Sequence, residues 1–65
     1  MKVAIGIDDW KQRIFEDILT DYGYEYEVRE GLTADMRFIF VQFDDAAKLK
    51  RVVEKCQRKA AELKN

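Results

Sequence analysis

Histidine and proline are absent from this chain, cysteine occurs once and glycine only three times. Without imidazole there is no histidine general base, no histidine triad and none of the common zinc or copper sites. The single thiol, Cys56, cannot close an internal disulfide, which suits a reducing compartment. Long apolar runs are missing too. Met1 and Lys2 lead into "VAIGI" and then two aspartates, too short a stretch for a signal peptide or a membrane span. The chain is therefore read as soluble and cytoplasmic, with no membrane partner. Its 65 residues make one small α+β domain over 1–65, with no second domain to form a cleft against. These absences argue against an enzyme, and no catalytic residue, cofactor or metal ligand is assigned.

What remains is a globular composition, 48% hydrophobic and 38% charged. The formal net charge of −1 hides an asymmetry. Residues 1–36 hold four Lys/Arg against nine Asp/Glu, whereas residues 37–65 hold eight against four. An acidic first part precedes a basic last helix.

"KVAIGI", residues 2–7, reads as a mostly buried strand. Asp8 or Asp9 then offers an N-cap carboxylate, with Gln12 completing a capping-box-like pair. Trp10, Ile14, Phe15, Ile18, Leu19 and Tyr22 follow at helical spacing, so Trp10 is expected in the core. Gly23 is the expected left-handed stop. "YEYEVR", residues 24–29, alternates with period two and predicts a second strand. "EGLTAD" predicts a hairpin loop, and "MRFIFVQF", residues 36–43, a third strand. Asp44 or Asp45 caps a second helix whose apolar stripe is Leu49, Val52, Val53, Cys56, Ala60 and Leu63. Its other face carries Lys48, Arg51, Lys55, Arg58 and Lys59.

The order β-α-β-β-α predicts a three-stranded antiparallel sheet, ordered 1-3-2, with both helices on one face. That is a ferredoxin-like half-sandwich without a fourth strand. The other face of the sheet is left open, and the first strand is left as an edge without proline to block it. In the third strand Ile39 and Val41 suit the helix side, which sends Phe38 and Phe40 outward. In the second, Tyr24, Tyr26 and Val28 go inward and Glu25, Glu27 and Arg29 outward. In the first, Val3, Ile5 and Ile7 go inward and Ala4 and Gly6 outward.

"FVQF", Phe40 to Phe43, carries the Phe-Val-x-Phe ending of a known strand consensus. On it the chain resembles an RNA-recognition motif over residues 2 to 58. The resemblance implies RNA binding with Phe38 and Phe40 as the stacking aromatics. Arg37 and Ile39 stand in the places of the consensus glycines, and Ala4 where the family presents a third aromatic. Single-strand binders surround their stacking rings with cations, because phosphate neutralisation supplies most of the affinity. Here Glu25 and Glu27 lie beside the rings, which disfavours nucleic acid on this face.

An acidic, aromatic face suits a basic protein surface better, including that of a nucleic-acid-binding protein or complex. The expected function is a protein-binding module or inhibitor that imitates the charge of a nucleic acid. In size and charge this is the manner of small phage anti-defence proteins such as anti-CRISPR proteins. The partner-binding residues are then Glu25, Glu27, Phe38 and Phe40, with Asp8, Asp9 and Asp21 adding charge at the helix ends. A homodimer, through the first-strand edge or the open face, would bury the same surface. An RNA-binding module using Phe38, Phe40 and the basic second helix is the alternative. A small magnesium-dependent enzyme using Asp8 and Asp9 comes third, since two adjacent acids hold magnesium weakly and helix capping explains them. Leu32 at the hairpin tip is an apolar oddity in a polar loop.

Overall fold

β-branched and aromatic residues crowd the stretch Met36–Gln42, and it becomes the central strand, β3, of a three-stranded sheet. The computed structural model describes residues 1–64. Strand β1 (Lys2–Asp8) and strand β2 (Tyr26–Glu30) each pair with β3 in antiparallel register, giving the order β1-β3-β2. Helix α1 (Gln12–Asp21) crosses from β1 to β2, and helix α2 (Ala46–Lys64) follows β3. The architecture is the expected α+β, ferredoxin-like half-sandwich.

The core forms where one side of the sheet meets the apolar stripes of both helices. Phe15 and Leu19 of α1, Ile39 and Val41 of β3, and Cys56 of α2 are fully buried. Ile7, Leu49 and Val52 complete the cluster, and Tyr24, Tyr26 and Val28 pack against it from the β2 side. No charged or polar side chain is buried among the described residues, so apolar burial carries the stability.

The helix ends show which local signals operate. Gly23 has φ +79° and ends α1 in a Schellman motif. The Gly23 N–H donates to the Thr20 carbonyl at 3.0 Å and the Tyr24 N–H to the Leu19 carbonyl at 3.0 Å. Tyr24 thus serves the helix terminus, and β2 starts at Tyr26 rather than at residue 24. Glu25 still joins the ladder, because its carbonyl accepts the Gln42 N–H at 3.0 Å. Asp45 caps α2 as expected, accepting the Lys48 N–H on Oδ1 at 3.1 Å. In the hairpin, a Cβ on Gly31 would stand 2.6 Å from the Met36 Cβ, so only glycine fits that approach.

Several expectations about the helices are corrected. The start of α1 has no side-chain cap: Asp9–Lys11 form a 3-10 turn, and Asp8 precedes it without capping through its carboxylate. Gln12 donates to Glu16 at 3.0 Å instead of closing a capping box. The Asp9 N–H donates to the Asp35 carbonyl at 2.7 Å, tying the end of β1 to the hairpin loop. That turn breaks the 3.6-residue period, so Trp10 lies off the stripe and is 41% exposed. Tyr22 follows the last turn of α1 and is also exposed, its hydroxyl taking the Lys55 ammonium at 2.9 Å. Leu63 is 61% exposed. Nineteen helical residues span about 28 Å, more than the roughly 23 Å of a seven-residue strand, so the last turn of α2 has little sheet beneath it.

With so small a core, Phe15→Ala should cost about 3–5 kcal/mol, the usual penalty for emptying a fully buried phenylalanine site. That approaches the total stability expected of such a domain. Urea titration by far-UV circular dichroism should find this variant largely unfolded without denaturant. Asp45→Ala, which removes only a cap, should lower the stability by about 1 kcal/mol. Equal losses from the two substitutions would contradict this account of the core.

Candidate functional site: the open face of the sheet

Because β3 is paired on both sides, its register fixes the neighbours of every outward side chain. Phe40 stands between Ala4 and Glu27, and Phe38 between Gly6 and Arg29. Met36 pairs with Asp8 on one side, and Gln42 pairs with Lys2. Parity therefore puts Met36, Phe38 and Phe40 in an apolar row along the middle of the face, with Ala4 and Gly6 beside it.

Small residues on β1 give the rings room to lie down. A Cβ on Gly6 would be 3.3 Å from Phe38 Cε1 and 3.9 Å from the Met36 methyl. The Phe38 ring thus rests over the Gly6 backbone, which accounts for its being half-buried although no helix covers it. Phe40 is half-buried for another reason. The Arg29 guanidinium lies over its ring, 5.9 Å from the centroid, and Arg29 Nη2 also reaches Glu27 Oε1 at 2.9 Å. Ring, guanidinium and carboxylate form one small assembly on the β2 side of the face. Both partners of the ion pair are exposed, so it contributes at most about 1 kcal/mol to folding.

Of the seven residues singled out from the sequence, five share this side of the sheet: Asp8, Glu25, Glu27, Phe38 and Phe40. Two do not. Asp9 sits in the 3-10 turn, and Asp21 ends α1 in the helical layer, close enough to Lys55 to raise its pKa as a minor contributor behind Tyr22. Lys2 and Arg29 join the face from the same strands. Its balance is three carboxylates against two cations, one of them already bound to Glu27. The acidity is thus modest and concentrated at the Glu25–Glu27 corner. Lys2 was legible from the alternation that sends Ala4 and Gly6 outward; the engagement of Arg29 was not, because it depends on a side-chain conformation.

Elsewhere the chemistry is sparse. Asp8 makes a long, exposed contact with Lys11 at 3.9 Å. Among the described residues no three His, Cys, Asp or Glu side chains gather closely enough to hold a metal ion. No helix among them is long and apolar enough to cross a membrane. Cys56 is a buried thiol whose pKa desolvation pushes up to about 11. The basic side of α2 presents Arg51, Lys55, Arg58 and Lys59 around Ile18, with Glu54 and Glu62 interspersed. No protein-family model, curated protein or solved structure matches the chain.

The thiol provides a check on the packing beneath the face. A cysteine that is protonated up to about 11 when folded, and up to 9.0 when unfolded, binds more protons in the folded chain between those values. Its stabilising contribution is complete below 9.0 and falls as the pH rises toward 11. Urea midpoints measured across that window should decline more steeply for the native chain than for Cys56→Ala. Identical slopes would mean that Cys56 is not desolvated.

Proposed function

We propose that this chain is a non-enzymatic protein-binding module that docks the open face of its sheet on a basic protein surface. The observation that carries the reading is the Arg29–Phe40–Glu27 assembly. An aromatic ring flanked by a carboxylate is a seat for a guanidinium, and in the free chain a residue of its own occupies that seat. A partner arginine exchanges with Arg29 there, or settles beside Phe38 with Glu25 as counter-charge. Glu25 is exposed and forms no ion pair among the described residues, so pairing it breaks no ion pair seen there.

The apolar row Met36–Phe38–Phe40 supplies the buried centre that such a contact needs, and the charged margin supplies register and salt dependence. A surface of this kind fits a protein whose own groove binds nucleic acid, and occupying it would block or regulate that protein. The binding residues under this reading are Glu25, Glu27, Phe38 and Phe40, with Asp8 at the far end of the face. Asp9 and Asp21 lie elsewhere and act only through their long-range field. Action in the cytoplasm belongs to the same proposal.

An arginine-rich peptide and a single-stranded RNA, titrated separately into the labelled chain and followed by amide NMR, test the reading. The peptide should shift residues 25, 27, 38 and 40, and its affinity should fall as salt rises. Changing Glu25 and Glu27 together to lysine should weaken peptide binding at least tenfold. RNA that shifts Phe38 and Phe40, and binds tighter after that same double change, would replace this reading with the RNA-binding one. No response of the face to the peptide would end it.

A further inference from the structure

The ladder between β1 and β3 determines which backbone groups of β1 remain unpaired. Met1 and Phe43 exchange backbone hydrogen bonds at 3.0 and 2.8 Å, and the Asp9 N–H reaches Asp35 at 2.7 Å. With the observed register, Val3, Ile5 and Ile7 turn their N–H and C=O groups toward β3. Lys2, Ala4, Gly6 and Asp8 turn theirs to the free edge. This edge is seven residues long, has no proline, and carries charge only at its two ends.

We infer that the partner for this edge is β1 of a second copy, paired antiparallel so that paired residue numbers sum to ten. Lys2 then lies opposite Asp8 of the second copy, Ala4 opposite Gly6, and Ile5 opposite Ile5 on the two-fold axis. Three features select this register. Only even residues present free hydrogen-bonding groups, so the sum must be even. Ten is the sum that uses all seven residues of the strand. It is also the one that sets lysine against aspartate at both ends, and opposite charges directly across an antiparallel pair are stabilising.

The inner side of the edge agrees. Val3 points to the helix-covered side yet is 37% exposed, so the helical layer does not close over this end of β1. In the dimer Val3 meets Ile7 of the second copy and the two Ile5 side chains meet each other. The axis is perpendicular to the sheet, and a six-stranded sheet ordered 2-3-1-1-3-2 results. Both aromatic rows then lie on one continuous face. This inference does not rest on the docking proposal, since a monomer could use the face equally well.

Sedimentation equilibrium of the full chain over a wide concentration range reads the assembly directly, and a dimer is expected. Ala4→Pro removes an outward N–H without touching the β1–β3 ladder, and should shift the chain to monomer with its circular dichroism unchanged. Lys2→Asp alone and Asp8→Lys alone each turn two attractive cross-strand pairs into repulsive ones, and each should weaken dimerisation roughly tenfold. The two together restore opposite charges and should recover it. Ile5→Cys places two thiols across the axis, at a Cα separation of about 4.5–5.5 Å that suits a disulfide, and should cross-link on mild oxidation. A chain that stays monomeric at every concentration overturns the inference. So does a dimer indifferent to Ala4→Pro, which would be joined through another surface, or a double charge exchange that fails to rescue, which would mean another register.

Discussion

Everything in this small domain depends on β3 being paired on both sides while only one side of the sheet is covered. Its alternation commits Ile39 and Val41 to the core and Phe38 and Phe40 to the uncovered side in a single stroke. A slip of one residue would exchange the two sets and leave the helices facing phenylalanines with no matching cavity. Register, core and surface chemistry are thus one decision, held by Ile5, Ile7 and Val28 packing around the same central strand.

The uncovered side is not left as bare hydrocarbon. Glycine at position 6 lets the Phe38 ring lie against backbone, and Arg29 covers Phe40 while pairing with Glu27. Both devices reduce exposed apolar area without enclosing it, and both are reversible. A guanidinium held by one ring and one exposed carboxylate is cheaply displaced, because each contact is individually weak in water. The same arrangement covers apolar surface in the free chain and, under the proposed function, would give way to an arginine-bearing surface. The helical side is divided differently: Trp10, Ile14 and Leu63 line one shallow groove, while Arg51, Lys55, Arg58 and Lys59 mix with Glu54 and Glu62 along α2.

Much of this was legible beforehand because it follows from period and parity. The element order, the strand order and the sorting of Tyr26, Val28, Phe38 and Phe40 between the two faces need only alternation and a right-handed crossover. What failed involved helix ends. Trp10 fits the spacing of the α1 stripe, but the 3-10 turn at Asp9–Lys11 rotates it to the surface. The preference of aspartate for N-caps was correct at Asp45 and wrong at Asp8 and Asp9, where a backbone bond to the hairpin loop sets the local geometry instead. Such a bond joins residues 26 positions apart, and no local pattern contains it.

The amino-acid order alone determined that the chain forms three strands and two helices, and which residues of each share a side. Both follow from the fixed periods of the polypeptide backbone, which operate within a few residues of any position. Only the tertiary arrangement decided that Arg29 lies on Phe40, that Phe38 rests over Gly6, and that the free hydrogen-bonding groups of β1 fall on Lys2, Ala4, Gly6 and Asp8. Those outcomes depend on distances between strands far apart in sequence, which exist only once the sheet has closed around β3.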